Sequence, residues 1–202
     1  MRNVKAVIFD IGQVLVSISS SGEKFGRLMQ AAGIAPGEGL DKFSFLNEVR
    51  RHMLGEITSR EFYQLAVDRF NLHYSYDDFV EGWCDQFHPM PGMEELFREI
   101  AARYRVGLLS DTDPLHWAAL CGLMPWLAAV EKPTLSFTVG RLKPHPDIYS
   151  AAAENVGVAK NECLFIDDKI ENVDGARYFG MLGLQFNGVE KLRKDLTGLK
   201  VL

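Results

Sequence analysis

The segment Val4–Val16, VKAVIFDIGQVLV, most constrains what this chain can become. Its near-continuous apolar opening reads as a strand buried on both faces, the environment of a central strand in a parallel sheet. The run breaks abruptly at Asp10, which sets that residue at the carboxyl end of the strand, ahead of a turn at Gly12. In open α/β sheets the crevice beyond the strand ends is where ligands bind. Asp10 is therefore a candidate nucleophile, and an aspartate that merely ends a strand is the plainer account of the residue taken alone.

The remainder of the chain divides into two textures. Residues 17–91 are helical in pattern, with Phe25, Leu28, Met29 and Ala32 on one face, then Leu46, Val49 and Met53. Thr58 with Glu61 three residues later reads as a capping box that opens a helix carrying Phe62, Leu65, Ala66 and Phe70. Phe79, Val80, Trp83 and Phe87 form a fourth stripe, and His88–Gly92 reads as a hinge. Such aromatic stripes at helical spacing are the core of a small bundle.

After the hinge, helices and strands alternate. Strands are predicted at Val106–Leu109, ended by Ser110 and Asp111, at Leu135–Val139, at Cys163–Ile166, ended by Asp167 and Asp168, and at Leu182–Phe186. Between them lie a helix on Met93, Leu96, Phe97 and Ile100, and one begun by Asp113 as N-cap and Pro114 as first residue. Further helices are predicted over Pro146–Asn155, around Ile170, Val173 and Ala176, and weakly at the end of the chain. The pattern predicts an α/β fold, a Rossmann-like three-layer core with a five-stranded parallel sheet, built from residues 1–16 and 92–202. Residues 17–91 form an inserted helical unit.

Bulk properties narrow the function. A formal charge of -5 with no Lys or Arg run gives no nucleic-acid surface. No apolar run is long enough to span a bilayer and no signal-like segment opens the chain, so a cytoplasmic protein without membrane contacts is expected. Cys84, Cys121 and Cys163 are odd in number and lack CxxC spacing, which points to free thiols.

Parallel strands share a direction, so the residues that follow them meet on one rim of the sheet. Asp10, Ser110 with Asp111, the loop of Lys143, and Asp167 with Asp168 therefore converge. Carboxylates gathered in this way repel unless a hard cation lies between them, and Mg²⁺ held by a few carboxylates and a substrate phosphate meets that need. Lys143 can neutralise phosphate, the Ser110 hydroxyl can hydrogen-bond phosphoryl oxygens, and Asp10 can attack phosphorus. A small phosphorylated substrate is the expected ligand.

These blocks resemble the haloacid dehalogenase superfamily over essentially the whole chain: FDIGQVLV as the nucleophile motif, LLSDTD as the serine motif, GRLKPHPDIY as the lysine motif and FIDDKIENVDGA as the metal motif. The branch most similar comprises small sugar-phosphate phosphatases of the α-D-glucose-1-phosphate phosphatase type. The resemblance implies a helical cap over residues 17–91, Asp10 as nucleophile and metal ligand, and Ser110 and Asp111 at the phosphate. It further implies Lys143 steadying nucleophile and phosphate, and Mg²⁺ on Asp10, the Gly12 carbonyl, Asp168 and Asp167.

Two positions depart from the family pattern. Gly12 stands where most members carry a general-acid aspartate, and Asp111 stands where this branch commonly has asparagine. A phosphate-binding protein with little or no turnover, and a 2-haloacid dehalogenase, are the alternatives to a phosphatase. Trp83, Phe87, His52 and His88 are possible substrate contacts, the aromatics being expected in the core and the histidines on the surface. His116 and Trp117 are placed at the entrance, and the chain is expected to be a monomer or homodimer.

Overall fold

A computed structural model describes residues 3–19, 22–33 and 45–202. The parts of the helical insertion expected at 20–21 and 34–44 lie outside the described residues. In chain order the elements are β1 (Ala6–Phe9), β2 (Val16–Ile18), α1 (Glu23–Ala31), α2 (Leu46–Met53), α3 (Ser59–Phe70), α4 (Tyr76–Cys84) and β3 (Phe87–Pro89). There follow α5 (Met93–Ala101), β4 (Arg105–Ser110), α6 (Pro114–Leu123), β5 (Thr134–Leu135), α7 (Ser136–Val139) and α8 (Pro146–Val156). The chain closes with β6 (Cys163–Asp167), α9 (Ile170–Phe179), β7 (Leu182–Gln185) and α10 (Val189–Gly198).

Five parallel strands form one sheet in the order β5-β4-β1-β6-β7. The alternation of side chains along a strand explains its two covered faces. Val7 and Phe9 of β1, with Leu164 and Ile166 of β6, face a cluster that includes Leu96 of α5 and Leu196 of α10. Ala6, Ile8, Cys163 and Phe165 face the opposite cluster, with Ile148 and Tyr149 of α8 and Ala176 of α9. All four residues of β1 are fully buried, as the unbroken apolar run requires of a central strand. Among the described residues no helix is long and apolar enough to cross a membrane.

Helices α1 to α4 gather around a separate apolar cluster of Phe25, Leu28, Phe62, Phe79 and Trp83. The Thr58–Glu61 capping box is present at the start of α3. At one point this helical segment touches the sheet side closely: Gly55 has φ +71°, and a Cβ there would lie 2.3 Å from the Phe137 carbonyl oxygen.

As the break at Asp10 predicts, β1 ends at Phe9, and the amides of Val14, Leu15 and Val16 converge on the Ile11 carbonyl to make a tight turn. Two local expectations change. Phe87 is not part of a helical stripe. It belongs to β3, which pairs antiparallel with β2 in a two-stranded ribbon where a plain hinge was expected. Finally, Leu135–Val139 is not a strand: β5 stops at Leu135 and α7 follows, closed by Gly140 at φ +70°. Leu135, Phe137 and Val139 alternate as a strand would, but the buried Ser136 hydroxyl accepts the Thr112 N–H at 2.9 Å and lies 2.7 Å from the Met53 carbonyl. Those bonds hold the chain in a helical turn at the sheet edge.

Candidate active site

The carboxyl ends of β1, β4 and β6 and the loop before α8 line one cavity of about 140 Å³. Asp10, Gly12, Ser110, Asp111, Lys143 and Asp168 all reach it, and Asp167 lies behind it, completely buried. Asp10 is positioned by its neighbours in β6 and in its own turn: its N–H donates to the Ile166 carbonyl at 2.9 Å, and its Oδ1 accepts the Ile11 N–H at 2.7 Å. The Lys143 ammonium, with a side chain only 2% exposed, lies 2.9 Å from Asp10 Oδ1 and 2.7 Å from Asp167 Oδ2. Asp167 also accepts Asn172 Nδ2 on both oxygens at 3.1 Å and the Lys169 N–H at 2.9 Å. It is a saturated group whose bonds hold Lys143 in place. Asp111 accepts the Lys143 N–H at 3.0 Å, which ties the lysine loop to the end of β4 and offsets the negative charge placed beside the cavity.

Charge is out of balance in this site. Two ammoniums, Lys143 and Lys169, stand against four carboxylates, Asp10, Asp167, Asp111 and Asp168. Burial pushes the Asp10 carboxyl up to about 7, with Asp167 adding to the rise and Lys143 opposing it. Burial likewise raises Asp168, helped by Asp167, and raises Asp111. For Lys143, burial disfavours the charge, but Asp10, Asp167 and Asp111 outweigh it and hold the ammonium above its ordinary value. Oxygen atoms of Asp10, Asp167 and Asp168 lie within 4.8 Å of one another. An excess of hard anionic oxygens at one point is a donor set that fits Mg²⁺.

A second polar group borders the cavity and was not legible beforehand. Asp113 caps α6 by accepting the N–H groups of Leu115 and His116, both at 2.9 Å. Its Oδ2 also meets His116 Nδ1 at 2.9 Å and Trp83 Nε1 at 3.3 Å. Burial alone would raise Asp113, but His116, with His52 beyond it, brings it down to about 2. Of the possible contacts, Phe87 and His116 line the cavity, Trp83 is core, His88 is exposed, and Trp117 packs on the sheet-side core.

His52 is not at the surface. It is fully buried, stacked on Phe62 at 4.5 Å, with Nε2 at 3.1 Å from Ser59 Oγ. Its Nδ1 has no hydrogen-bond partner among the described residues, the nearest carboxylate oxygen of Asp113 being 3.9 Å away. Burial holds His52 below its ordinary value, with Asp113 opposing. As pH falls the unfolded chain binds that proton first, so this group's contribution to stability is present above about pH 6.5 and is lost below it. His52→Phe keeps a ring on Phe62 and removes the unpaired nitrogen. Urea titrations are expected to show equal stability at pH 7, or a gain of about 1 kcal/mol, and a smaller loss than wild type between pH 7 and pH 5.

A family model described as a haloacid dehalogenase-like hydrolase matches residues 4–180. A D-ribitol-5-phosphate phosphatase of Bacteroides thetaiotaomicron is 25% identical over 205 residues, covering 96% of this chain and 97% of that protein. A flavin mononucleotide hydrolase of Arabidopsis thaliana, described as chloroplastic, is 30% identical over 113 residues, 55% of this chain and 46% of that protein. Among solved structures, a HAD family enzyme from Bacteroides thetaiotaomicron in complex with magnesium and inorganic phosphate aligns with a TM-score of 0.78 at 23% identity, covering 92% of this chain and 96% of its own. The L-2-haloacid dehalogenase from Xanthobacter autotrophicus aligns with a TM-score of 0.65 at 22% identity, covering 98% and 84%. Those likenesses show a common fold, so the chemistry rests on the site itself.

Proposed function

Because the chain belongs to the haloacid dehalogenase-like hydrolases, we propose that it is a Mg²⁺-dependent phosphatase of small phosphomonoesters, acting through an aspartyl phosphate on Asp10. The observation that carries this reading is the state of Asp10. Its two hydrogen bonds, from Ile11 and Lys143, both fall on Oδ1, which leaves Oδ2 to attack. Attack forms the bond from Oδ2 to phosphorus and breaks the bond to the leaving-group oxygen, which takes a proton from solvent water because Gly12 carries no acid; a second water then displaces Asp10 from phosphorus, gives up its proton to solvent and releases inorganic phosphate. Lys143 offsets charge on the phosphoryl oxygens, and the Ser110 hydroxyl donates to one of them. Asp10, Asp168 and the Gly12 carbonyl are the metal ligands in this scheme, with Asp167 acting through Lys143. Bound there, Mg²⁺ supplies the positive charge that lets a phosphate dianion approach a carboxylate.

The ribbon and helices α1 to α4 serve as the cap. A Cβ at position 12 would lie 3.0 Å from Ile18 Cδ1, so the ribbon packs directly on the glycine that replaces the family's acid. A metal-free dehalogenase has no use for the clustered carboxylates of Asp10, Asp167 and Asp168, and no arginine is among the residues that line the cavity. The similarity to a ribitol-phosphate phosphatase supports a polyol or sugar phosphate as the substrate.

The test is phosphate release from ribitol 5-phosphate, glucose 1-phosphate and 4-nitrophenyl phosphate, with Mg²⁺ and with EDTA. Turnover that EDTA abolishes supports the reading; turnover indifferent to EDTA contradicts it. Asp168→Ala is expected to raise the Mg²⁺ concentration for half-maximal activity by at least about 10- to 100-fold, the loss seen when even outer-shell partners are removed.

A further inference from the structure

His116, in the first turn of α6, shares the cavity with Asp10, Ser110 and Lys143, and its ring is clamped on every side. Nδ1 is 2.9 Å from Asp113 Oδ2. One face stacks on Trp83, with centroids 5.1 Å apart and planes 7° from parallel, and Phe87 meets the ring at 4.9 Å and 87°. Nε2 lies 3.2 Å from both Gln86 Nε2 and the Trp83 carbonyl. Nδ1 meets the Asp113 carboxylate, and Nε2 meets a donor in the Gln86 amide and an acceptor in the Trp83 carbonyl, so both nitrogens are engaged whichever carries the proton and neither is offered to a substrate. This imidazole is a rigid piece of wall. The group that fixes it is Asp113, 1% exposed, which also holds Trp83 from α4 and caps α6.

We propose that His116 determines which leaving group the cavity accepts, and that Asp113 is the positioning residue that fixes the imidazole for that task. The substrate class so selected is the phosphomonoester of a short polyol or small sugar, with bulky aryl or heterocyclic esters excluded. The cavity, about 140 Å³, is well below the roughly 300–1,000 Å³ of sites that enclose drug-sized ligands. Two of its walls, His116 and Phe87, are braced against each other and cannot part without breaking the Asp113 bond or the ribbon. A wall that cannot yield discriminates by shape.

The assignment rests on the phosphatase reading, and the experiment separates the two. The wild type, His116→Ala, His116→Asn and Asp113→Asn are assayed with ribitol 5-phosphate and 1-naphthyl phosphate, with inorganic phosphate as competitive inhibitor. Each variant is compared with wild type on the same ester, so intrinsic leaving-group reactivity cancels. His116→Ala is expected to shift the ratio of kcat/KM for the naphthyl ester over the ribitol ester upward by about tenfold, mainly through KM, with phosphate inhibition unchanged. His116→Asn returns a donor to Asp113 without the ring and is expected to show the same shift with a higher Tm than the alanine variant. Asp113→Asn keeps an oxygen for the helix cap but turns a donor towards His116 Nδ1 and Trp83 Nε1, so the ring is released and the ratio moves in the same direction. Equal changes for both esters and for phosphate, an unchanged ratio or a reversed one overturn the proposal alone. Absence of wild-type turnover on both esters overturns the phosphatase reading and this assignment with it.

Discussion

Asp10→Asn is expected to remove turnover while leaving the protein folded. The amide is nearly isosteric, and its oxygen can still accept the Ile11 N–H that holds this side chain. What is lost is an anionic oxygen able to form a bond to phosphorus. Removing the nucleophile of a covalent mechanism costs roughly 10⁴- to 10⁶-fold in kcat, so phosphate release falls to the background of the assay. The stability effect is small because two changes oppose. A carboxylate that burial disfavours is replaced by a neutral group, and Lys143 keeps one carboxylate partner, Asp167, at 2.7 Å. A melting temperature equal to or above that of wild type, together with lost turnover, is the expected pair of results.

Lys143→Met is expected to do the reverse, damaging fold and activity together. Methionine fills the channel of the lysine stem but brings no charge. Asp10 and Asp167 are then left facing each other with the desolvation of both uncompensated. Breaking a buried pair from one side costs about 3–5 kcal/mol, visible as a lower urea midpoint. The pH dependence has a definite sign. With Lys143 gone, the folded-state value of Asp10, already raised by burial, rises further above its unfolded value, so the folded form binds a proton that the unfolded form does not. Stability is therefore retained at low pH and lost as pH rises through that folded-state value. The variant is expected to be more stable at pH 5 than at pH 8 relative to wild type, and circular dichroism melts at the two values check it.

The residues that follow strands were legible because one rule, the shared direction of parallel strands, brings them together without knowledge of any side-chain contact. Asp10, Ser110, Asp111 and Asp168 reach one cavity for that reason, and Lys143 joins them from the loop after α7, where a strand was expected. That Asp167 lies behind the cavity wall was not legible: two adjacent aspartates look alike in a sequence, and only the fold separates the one buried against Lys143 from the one that lines the cavity. Asn172, five residues further on, completes Asp167's bonds from the first turn of α9 and could have been found as the polar residue of the same block.

Other features depend on contacts distant in sequence. The ribbon has three residues in each strand and joins positions about seventy apart, so no local pattern announces it. The Asp113 group takes His116 and Trp83 from separate helices, with His52 of a third nearby. Asp113 was legible as a helix cap from the Asp-Pro step, yet its role in joining helices from the insertion to α6 was not. At Leu135–Val139 the alternation was real, but a buried serine bonded to the neighbouring loop decided the backbone.

The account turns on a covalent bond between Asp10 and phosphorus, and the most direct measurement is to trap it. The enzyme is mixed with Mg²⁺ and a phosphomonoester that it turns over, quenched in acid during steady state, digested and examined by mass spectrometry. The account predicts one phosphoryl group on the peptide that contains Asp10, removed by hydroxylamine and absent from Asp10→Asn. Steady turnover with that peptide unmodified, or the same modification in Asp10→Asn, would contradict it.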